Sequence, residues 1–250
     1  MKEVRWVDNL KVRLGYGVTG NQDVIAPYNS LALYAPNGVT SVNGVNTTTY
    51  AIQSNDNPDL KLEVKHTFDI GIDFAAFQNR LNVTLDWYTS KTKDLLYTYT
   101  VPVPPFTYNT LLANMGEMTN SGFEIGVRGD IIRTKDFTFN SGMNLSFQKN
   151  KLNSLSGTYK GQRLTTSEHI PVANINAAGL TQNTGVTYLM EGQPIGVFYL
   201  PHCKGIDDKG QYIIEDLDKN GTIDTGDSGD RKVCGQAIPK AYLGWDFTFK

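Results

Sequence analysis

Several features that define other protein classes are missing from this 250-residue sequence. It contains no run of about 18 apolar residues, which excludes a transmembrane helix. The net charge is only −2, so there is no excess of Lys and Arg to drive binding to a nucleic acid. Two cysteines, Cys203 and Cys234, are too few for a disulfide scaffold. They either pair in an oxidising compartment or are two unrelated thiols.

Motifs for catalysis are missing as well. The three histidines stand apart from any nucleophile motif or zinc-ligand spacing. No Gly-x-Ser-x-Gly, His-Glu-x-x-His or phosphate-binding glycine loop occurs. Asp207 and Asp208 are adjacent carboxylates in a turn rich in Gly and Lys, where such pairs are usually solvated. We therefore expect that the protein is not an enzyme.

A period-two alternation of apolar and polar residues fills the stretch 63–88. Apolar side chains recur at alternate positions from Val64 to Phe74 and again from Leu81 to Trp87, with charged or hydrogen-bonding residues between them. This pattern predicts a strand, a short turn and a second strand. Each arm is about 10 residues or slightly longer, the length that a tilted strand needs to cross a bilayer.

Similar alternation elsewhere predicts six strands in total. We place them near 10–18, 62–75, 80–90, 121–132, 136–149 and 240–250. The segments 19–61, 89–120 and 150–239 show no sustained alternation and are predicted as long loops. Val101-Pro102-Val103-Pro104-Pro105 lies in the second of these, and its prolines exclude a central strand there.

Short turns at one end and long loops at the other are typical of outer-membrane barrels. Six strands do not close such a barrel, because the smallest membrane barrels need about eight. We therefore predict an all-β chain that forms an antiparallel arc of a larger barrel. The alternation also fits a half-buried hairpin, so a soluble secreted β-sandwich that binds carbohydrate and holds a structural calcium ion is the alternative.

Several motifs, in a fixed order, resemble the SusC/RagA family of TonB-linked outer-membrane transporters. They are Asn57-Pro58-Asp59-Leu60-Lys61-Leu62-Glu63, Asn79-Arg80-Leu81, Asp86-Trp87-Tyr88, Asn114-Met115-Gly116-Glu117 to Glu124, Glu191-Gly192-Gln193-Pro194-Ile195-Gly196 and Gly235-Gln236-Ala237-Ile238-Pro239-Lys240. The resemblance extends from about Leu10 to the end of the chain. The family often has Trp where this chain has Leu62, and that change leaves the apolar face intact.

The resemblance implies the carboxy-terminal part of a barrel of about 22 strands. The plug domain and the segment that contacts TonB would not be encoded in these residues, so we expect the chain to be a fragment. The family acts in the outer membrane with a SusD-like surface lipoprotein, and it imports oligosaccharides or sometimes peptides. The resemblance also implies contact with outer-membrane lipid, and a pore wall lined by Lys65, Asp69, Asp73, Asp86 and Arg128.

The sharpest local motif is the run from Asp216 to Asp227, which has the layout of a calcium-binding loop. Its candidate ligands are Asp216, Asp218, Asn220, Thr222 through its carbonyl group, Asp224 and Asp227. Gly221 stands where the loop needs a sharp turn. Two features depart from the usual layout, because the last ligand is Asp rather than Glu and the flanking segments look extended rather than helical. The alternative is a solvated turn; we predict a structural calcium ion.

Overall fold

A computed structural model describes residues 6–23, 25–175, 184–224, 226 and 229–250. Within these ranges the chain forms sixteen β-strands, and no helix there is long and apolar enough to cross a membrane. The strands are β1 (Val7–Asn21), β2 (Tyr34–Val42), β3 (Val45–Ile52), β4 (Glu63–Ala76), β5 (Leu81–Thr100), β6 (Thr110–Arg133), β7 (Thr138–Ser154), β8 (Gly157–Tyr159), β9 (Gln162–Leu164), β10 (Ile170–Ile175), β11 (Thr184–Leu189), β12 (Val197–Pro201), β13 (Cys203–Ile206), β14 (Tyr212–Ile214), β15 (Arg231–Gln236) and β16 (Ala241–Phe249).

The main sheet has six strands in the order β1-β4-β5-β6-β7-β16, and every neighbouring pair is antiparallel. Two short turns, at 77–80 and 134–137, connect its strands at one end, which we call the turn end. The connections at the opposite end, the loop end, are mostly longer. This arrangement is the antiparallel all-β arc that the alternation predicted.

The sheet has one apolar and one polar face because its side chains alternate. Residues on the apolar face include Leu14, which is 71% exposed, and Trp245, which is 65% exposed. No second sheet covers this face within the described ranges. A soluble β-sandwich would bury that surface, so the alternative fold does not match this arrangement.

The strands extend well beyond the segments that alternation identified. β5 continues to Thr100 and β6 starts at Thr110, so most of the predicted loop 89–120 is paired strand, and only 101–109 connects the two strands. Alternation was lost there because the outward positions beyond Trp87 are polar, at Thr89, Lys91 and Lys93. A bulge at Asp94, which has a φ of 61°, then interrupts the register between Lys93 and Leu95. A bulge reverses the alternation of the residues that follow it, so one continuous strand does not show one continuous period.

The other two predicted loops also contain regular structure. β2 and β3 form a hairpin within 19–61, and β8 to β15 lie within 150–239 as two further hairpins and a four-stranded sheet in the order β10-β11-β12-β15. The strands β2 and β3 are exposed almost throughout, so no buried face imposes an alternation on their sequence. Their turn, Asn43-Gly44, has positive φ at both residues, and Asn-Gly is a strong hairpin signal that the search for periodicity missed.

The buried apolar residues lie mainly toward the loop end. One cluster joins the outer parts of β5 and β6 to the β8–β9 hairpin, and it contains Tyr99, Val101, Leu111, Ala113, Tyr159 and Leu164. A second, smaller cluster in the four-stranded sheet contains Tyr188, Val197 and Tyr199. The long connections are therefore folded units with cores of their own.

Candidate functional site

The polar face of the main sheet carries charges that neutralise one another across neighbouring strands. Arg13 on β1 donates to Asp73 on β4 at 2.9 and 3.0 Å, and to Asp86 on β5 at 2.8 Å. Arg128 on β6 contacts Asp246 on β16 at 3.0 Å, passing over β7. These ion pairs are partly exposed, so each contributes little to stability. Their main effect is to give the sheet an ordered, hydrophilic wall.

Glycines on the polar face make room for the large polar side chains opposite them. A Cβ atom at Gly71 would collide with the Asp86 carboxylate, and one at Gly15 or Gly142 would collide with Asp69 or Asp246. Each glycine is paired in register with the carboxylate that covers it. The alternation of glycine with carboxylates therefore keeps the charged side chains flat against the backbone.

The same face contains an open concavity of about 440 Å³. Its wall includes Thr84, Asp86, Glu124, Asn144 and Tyr242. The five residues that the resemblance assigned to a pore wall are at alternate positions facing this side; they are Lys65, Asp69, Asp73, Asp86 and Arg128. The sheet therefore presents a continuous hydrophilic surface opposite its apolar one.

Two buried asparagines fasten the loop end to the sheet. The Asn55 side-chain NH2 group donates to the carbonyl groups of Tyr108 and Thr110, and its oxygen accepts from the backbone N–H groups of Thr107 and Tyr108. Asn57 donates to the carbonyl group of Leu112 at 2.7 Å. These hydrogen bonds provide partners for backbone N–H and carbonyl groups at the edge of the β5–β6 hairpin, and they explain why an Asn-rich segment precedes β4.

The predicted calcium loop lies between β14 and β15, and we call residues 215–230 the acidic loop. Ligand atoms of Asp216, Asp218 and Asp230 lie within 4.8 Å of one another. Asp230, which is only 2% exposed, was not among the predicted ligands because it follows the twelve-residue motif. It accepts hydrogen bonds from the backbone N–H groups of Leu217 at 2.6 Å and Asp224 at 2.9 Å.

The remaining predicted ligands have other roles or lie elsewhere. The Asn220 oxygen accepts from the backbone N–H of Thr222, and its NH2 group donates to Asp218 at 2.7 Å. The Asp224 carboxylate accepts from the Gly226 N–H at 2.8 Å and is not part of the cluster of three. Asp227 lies outside the described residues. The structure therefore joins two of the six predicted ligands with one that was not predicted.

Asp216 is the most informative residue of the acidic loop. Its Oδ2 atom accepts from the Gly221 N–H at 2.9 Å, while its buried Oδ1 atom has no hydrogen-bond partner among the described residues. The hydrogen bond from Gly221 lowers the pKa of Asp216 below its ordinary value, and partial desolvation opposes this effect. An ionised carboxylate with one buried, unpaired oxygen, beside two further carboxylates, is a donor set that suits a hard cation such as calcium.

Glu215 anchors the start of the acidic loop. Its carboxylate contacts Lys232 at 2.7 Å, His202 at 2.9 Å and Lys204 at 3.3 Å. The hydrogen bond from Lys232 is the largest cause that lowers the pKa of Glu215 to about 2, with desolvation opposing it and Lys204 and His202 assisting. These contacts hold β13 and β15 on either side of the loop.

The structure also places the cysteines and the loop aromatics. Cys203 and Cys234 are both exposed free thiols. Tyr188 is fully buried and its hydroxyl accepts from Arg231 at 2.8 Å, while the Tyr199 ring stacks on His169 at 4.3 Å. Tyr99, near the outer end of β5, is only 1% exposed, because β5 extends into the loop-end core.

A sheet with an exposed apolar face, a charge-paired polar face and folded loops at one end defines the wall of a membrane β-barrel. Residues 4–248 match the family model described as TonB dependent receptor-like, beta-barrel. The chain therefore belongs to the TonB-dependent receptor β-barrel family.

Relatives and solved structures agree with this assignment. The chain is 33% identical to TonB-dependent receptor P3 of Formosa agariphila over 98% of its length, and 29% identical to TonB-dependent receptor SusC of Bacteroides thetaiotaomicron over 100%. It also resembles the structure of the RagAB peptide transporter, with a TM-score of 0.73 and 25% identity over 100% of this chain. The chain spans about a quarter of the length of each of these proteins.

Proposed function

We propose that this chain is one part of an outer-membrane nutrient importer that depends on TonB and takes up oligosaccharides or peptides together with a SusD-like surface lipoprotein. Its mechanism is gated passage rather than bond chemistry. The observation that carries the proposal is the two-faced sheet, because an apolar outer face and a paired, hydrophilic inner face are what a barrel wall around an aqueous lumen needs.

Three further observations support the details. The relatives are named for TonB and SusC, and one structural neighbour is a peptide transporter. The loop end is folded around its own cores, so it offers a defined surface on which a lipoprotein can close. The inner wall carries both signs of charge and hydroxyl and amide groups, which suits polar solutes of either class.

The test is uptake by cells that express the complete receptor with its partner lipoprotein. The probes are fluorescent maltooligosaccharides and fluorescent peptides, each measured with and without TonB and with and without the lipoprotein. We expect one probe class to accumulate only when both TonB and the lipoprotein are present. Uptake that is independent of TonB, or no uptake of either class by a receptor that is correctly inserted, would contradict the proposal.

We also propose that the acidic loop binds a structural calcium ion through Asp216, Asp218 and Asp230, with the carbonyl group of Thr222 as a further candidate ligand. The support is the buried, unpaired Oδ1 atom of Asp216 among three carboxylates. The ion would fix the connection between β14 and β15 rather than act as a switch.

Calcium titration of the complete receptor after chelation tests this second proposal. The change is Asp216→Asn, which keeps the shape of the side chain and removes its charge. We expect calcium affinity to fall by roughly ten-fold or more, because affinity in such loops depends on the number of ligand charges. The control is Asp208→Asn in the neighbouring turn. Equal calcium affinity for both variants would refute the site.

A further inference from the structure

Above the apolar face, toward the loop end, the structure has a band of positive charge that the transport proposal does not use. The band begins at a row of three aromatic residues on neighbouring strands, since Trp87 is paired in register with Phe123, and Phe123 with Phe147. All three are on the apolar face and are at least 37% exposed. Aromatic rows of this kind mark the boundary between the hydrocarbon layer and the headgroup layer of a membrane.

Four lysines lie on the same face in the levels just beyond the aromatic row. They are Lys91 and Lys93 on β5, and Lys149 and Lys151 on β7. Burial confirms that Lys149 and Lys151 face outward, because both are exposed whereas the alternate residues Asn150 and Leu152 are buried. We call this set the lysine band.

Register brings the lysine band together across three strands. Lys91 is paired with Thr119 on β6, and Thr119 with Lys151 on β7, so their backbones are about 10 Å apart. Ser121, one level lower on β6, is paired with Lys149. The hydroxyl groups of Thr119 and Ser121 therefore lie on β6 between the flanking lysine-bearing strands.

Acidic residues only partly neutralise the lysine band. Glu117 on β6 contacts Lys91 at 2.8 Å and accepts from Asn153 at 3.0 Å. Within the described ranges, Lys93, Lys149 and Lys151 make no ion pair. His66, which is on the same face, has its Nδ1 atom 2.9 Å from the Tyr16 hydroxyl. The band thus has four cations and one carboxylate.

The turn end shows that this excess is specific to one side. There the charged residues are of both signs and nearly balanced; they are Asp8, Arg80, Asp130, Arg133, Lys135, Asp136 and Lys250. Arg133 lies 3.8 Å from Asp130, and Asp8 accepts from the Asn79 N–H. A general preference for charge at strand ends would produce the same balance at both ends, so the lysine band needs its own explanation.

The height of the lysine band indicates what binds it. Successive outward residues are about 6.8 Å apart along a strand, which is about 5 Å along the membrane normal for a strand tilted by about 40°. The levels of Lys149 and Lys151 are then about 5 and 10 Å above the aromatic row. The headgroup layer is about 5–8 Å thick on each side of a bilayer, so Lys149 lies within it. Lys91 and Lys151 lie just above it, where their long side chains reach back to the depth of the lipid phosphate groups.

We propose that the lysine band binds the phosphate groups of an anionic lipid in the leaflet on the loop side of the membrane. This inference rests on the proposed membrane placement and adds a lipid site to it. Ammonium groups attract anionic headgroups electrostatically, and the hydroxyl groups of Thr119 and Ser121 are close to the phosphate oxygens. The site would fix the rotation and depth of this part of the wall in its bilayer.

The experiment uses the complete receptor in nanodiscs of neutral phosphatidylcholine, with diphosphorylated lipid A added as the probe. The variant is Lys149→Gln with Lys151→Gln, and the matched control is Lys135→Gln with Lys209→Gln, which removes two charges from turns outside the band. We expect lipid A affinity to fall by roughly thirty-fold in the variant, because each lost lysine lowers it by about ten-fold or less. The affinity should stay unchanged in the control. Inorganic phosphate at millimolar concentration should not compete, since it lacks the lipid part.

Three outcomes would overturn the inference. Equal lipid A affinity in variant and control would show that the band does not bind phosphate. Full competition by inorganic phosphate would identify a site for free anions, and loss of lipoprotein assembly with unchanged lipid binding would identify a protein interface. If the receptor enters nanodiscs and transports solute but gives any of these results, only the lipid site is refuted and the proposed function stands. If the receptor does not enter a bilayer, both the lipid site and the proposed function are refuted.

Discussion

The main sheet and the loop end are stabilised in opposite ways. The largest fully buried side chains all lie toward the loop end; they are Tyr99, Tyr188, Leu111, Val197, Asn57 and Asp230. On the edge strands of the sheet, by contrast, Leu14, Tyr16, Leu243 and Trp245 leave more than half of their surface exposed. One region folds around its own cores, while the other is held by backbone pairing and leaves its apolar surface for lipid.

The largest effect is expected from a charge on the apolar face. Trp245→Arg on β16 places a guanidinium group where lipid is expected, two levels inside the aromatic row, and costs about 2–4 kcal/mol near the membrane midplane. The control is Gly244→Arg, one residue away on the polar face, where an added Cβ meets no atom within 4 Å. Heat-resistant folding of the complete receptor in detergent micelles is the measurement. Equal losses for the two variants would mean that the faces are not distinct.

A somewhat smaller effect is expected from removing the asparagine that fastens the loop end. Asn55→Ala leaves two carbonyl groups and two N–H groups of the β5–β6 connection without their partner, at a cost of about 3 kcal/mol. We expect faster proteolysis within 101–109 while the sheet stays folded. Asn46→Ala on the exposed strand β3 is the control, and a protease pattern that is the same for both would contradict the role of Asn55.

A single hydroxyl group tests the loop-end core. Tyr99 donates to the carbonyl group of Leu155 at 2.6 Å in a buried position. Tyr99→Phe removes that bond and leaves the carbonyl group unsatisfied, at a cost of about 1–2 kcal/mol. Hydrogen exchange of the β8–β9 hairpin should rise in this variant. It should not rise in Tyr97→Phe, since no hydrogen bond of the Tyr97 hydroxyl is found in the described part of the chain.

The smallest effect is expected from lowering the pH. Because the pKa of Glu215 is lowered to about 2 in the folded chain, its contacts with Lys232 and His202 favour the folded loop above the ordinary glutamate pKa of about 4.3. That contribution is lost as the pH falls from there toward 2. Protease protection of residues 203–215 should therefore decline over this pH range. In Glu215→Gln the decline should disappear, whereas in Glu168→Gln it should remain.

Sequence predicted the sheet well because one physical constraint repeats along it. One face of each strand contacts lipid and the other contacts water, so the alternation from Leu10 to Val18 and from Leu81 to Trp87 identifies these strands directly. The predicted strand ended near residue 90 because the next outward positions are Lys91 and Lys93, and beyond them the bulge at Asp94 changes the phase of the alternation. The sequence of the loop end shows no single repeat of apolar residues. Its hairpin turns at Asn43-Gly44 and Lys160-Gly161, where φ is positive, are indicated in the sequence only by these residue pairs.

The acidic loop was predicted only in part for a related reason. Asp216 and Asp218 come from a motif of fixed spacing, and the structure brings them together. Asp230 joins them because β15 brings the far end of the loop back to its start, where Leu217 and Asp224 donate to its carboxylate. The spacing of residues within a motif does not predict which residue outside the motif the fold brings back to it.

The most direct test of the two-faced sheet is cysteine labelling along β16 in the complete receptor, with Cys203 and Cys234 changed to serine. The substitutions Leu243→Cys, Gly244→Cys, Trp245→Cys and Asp246→Cys are made singly, and each is treated in membranes with a water-soluble and a lipid-soluble maleimide. We predict that positions 244 and 246 react with the aqueous reagent, whereas 243 and 245 react only with the lipid-soluble one. Equal reaction of all four positions with the aqueous reagent would contradict the account.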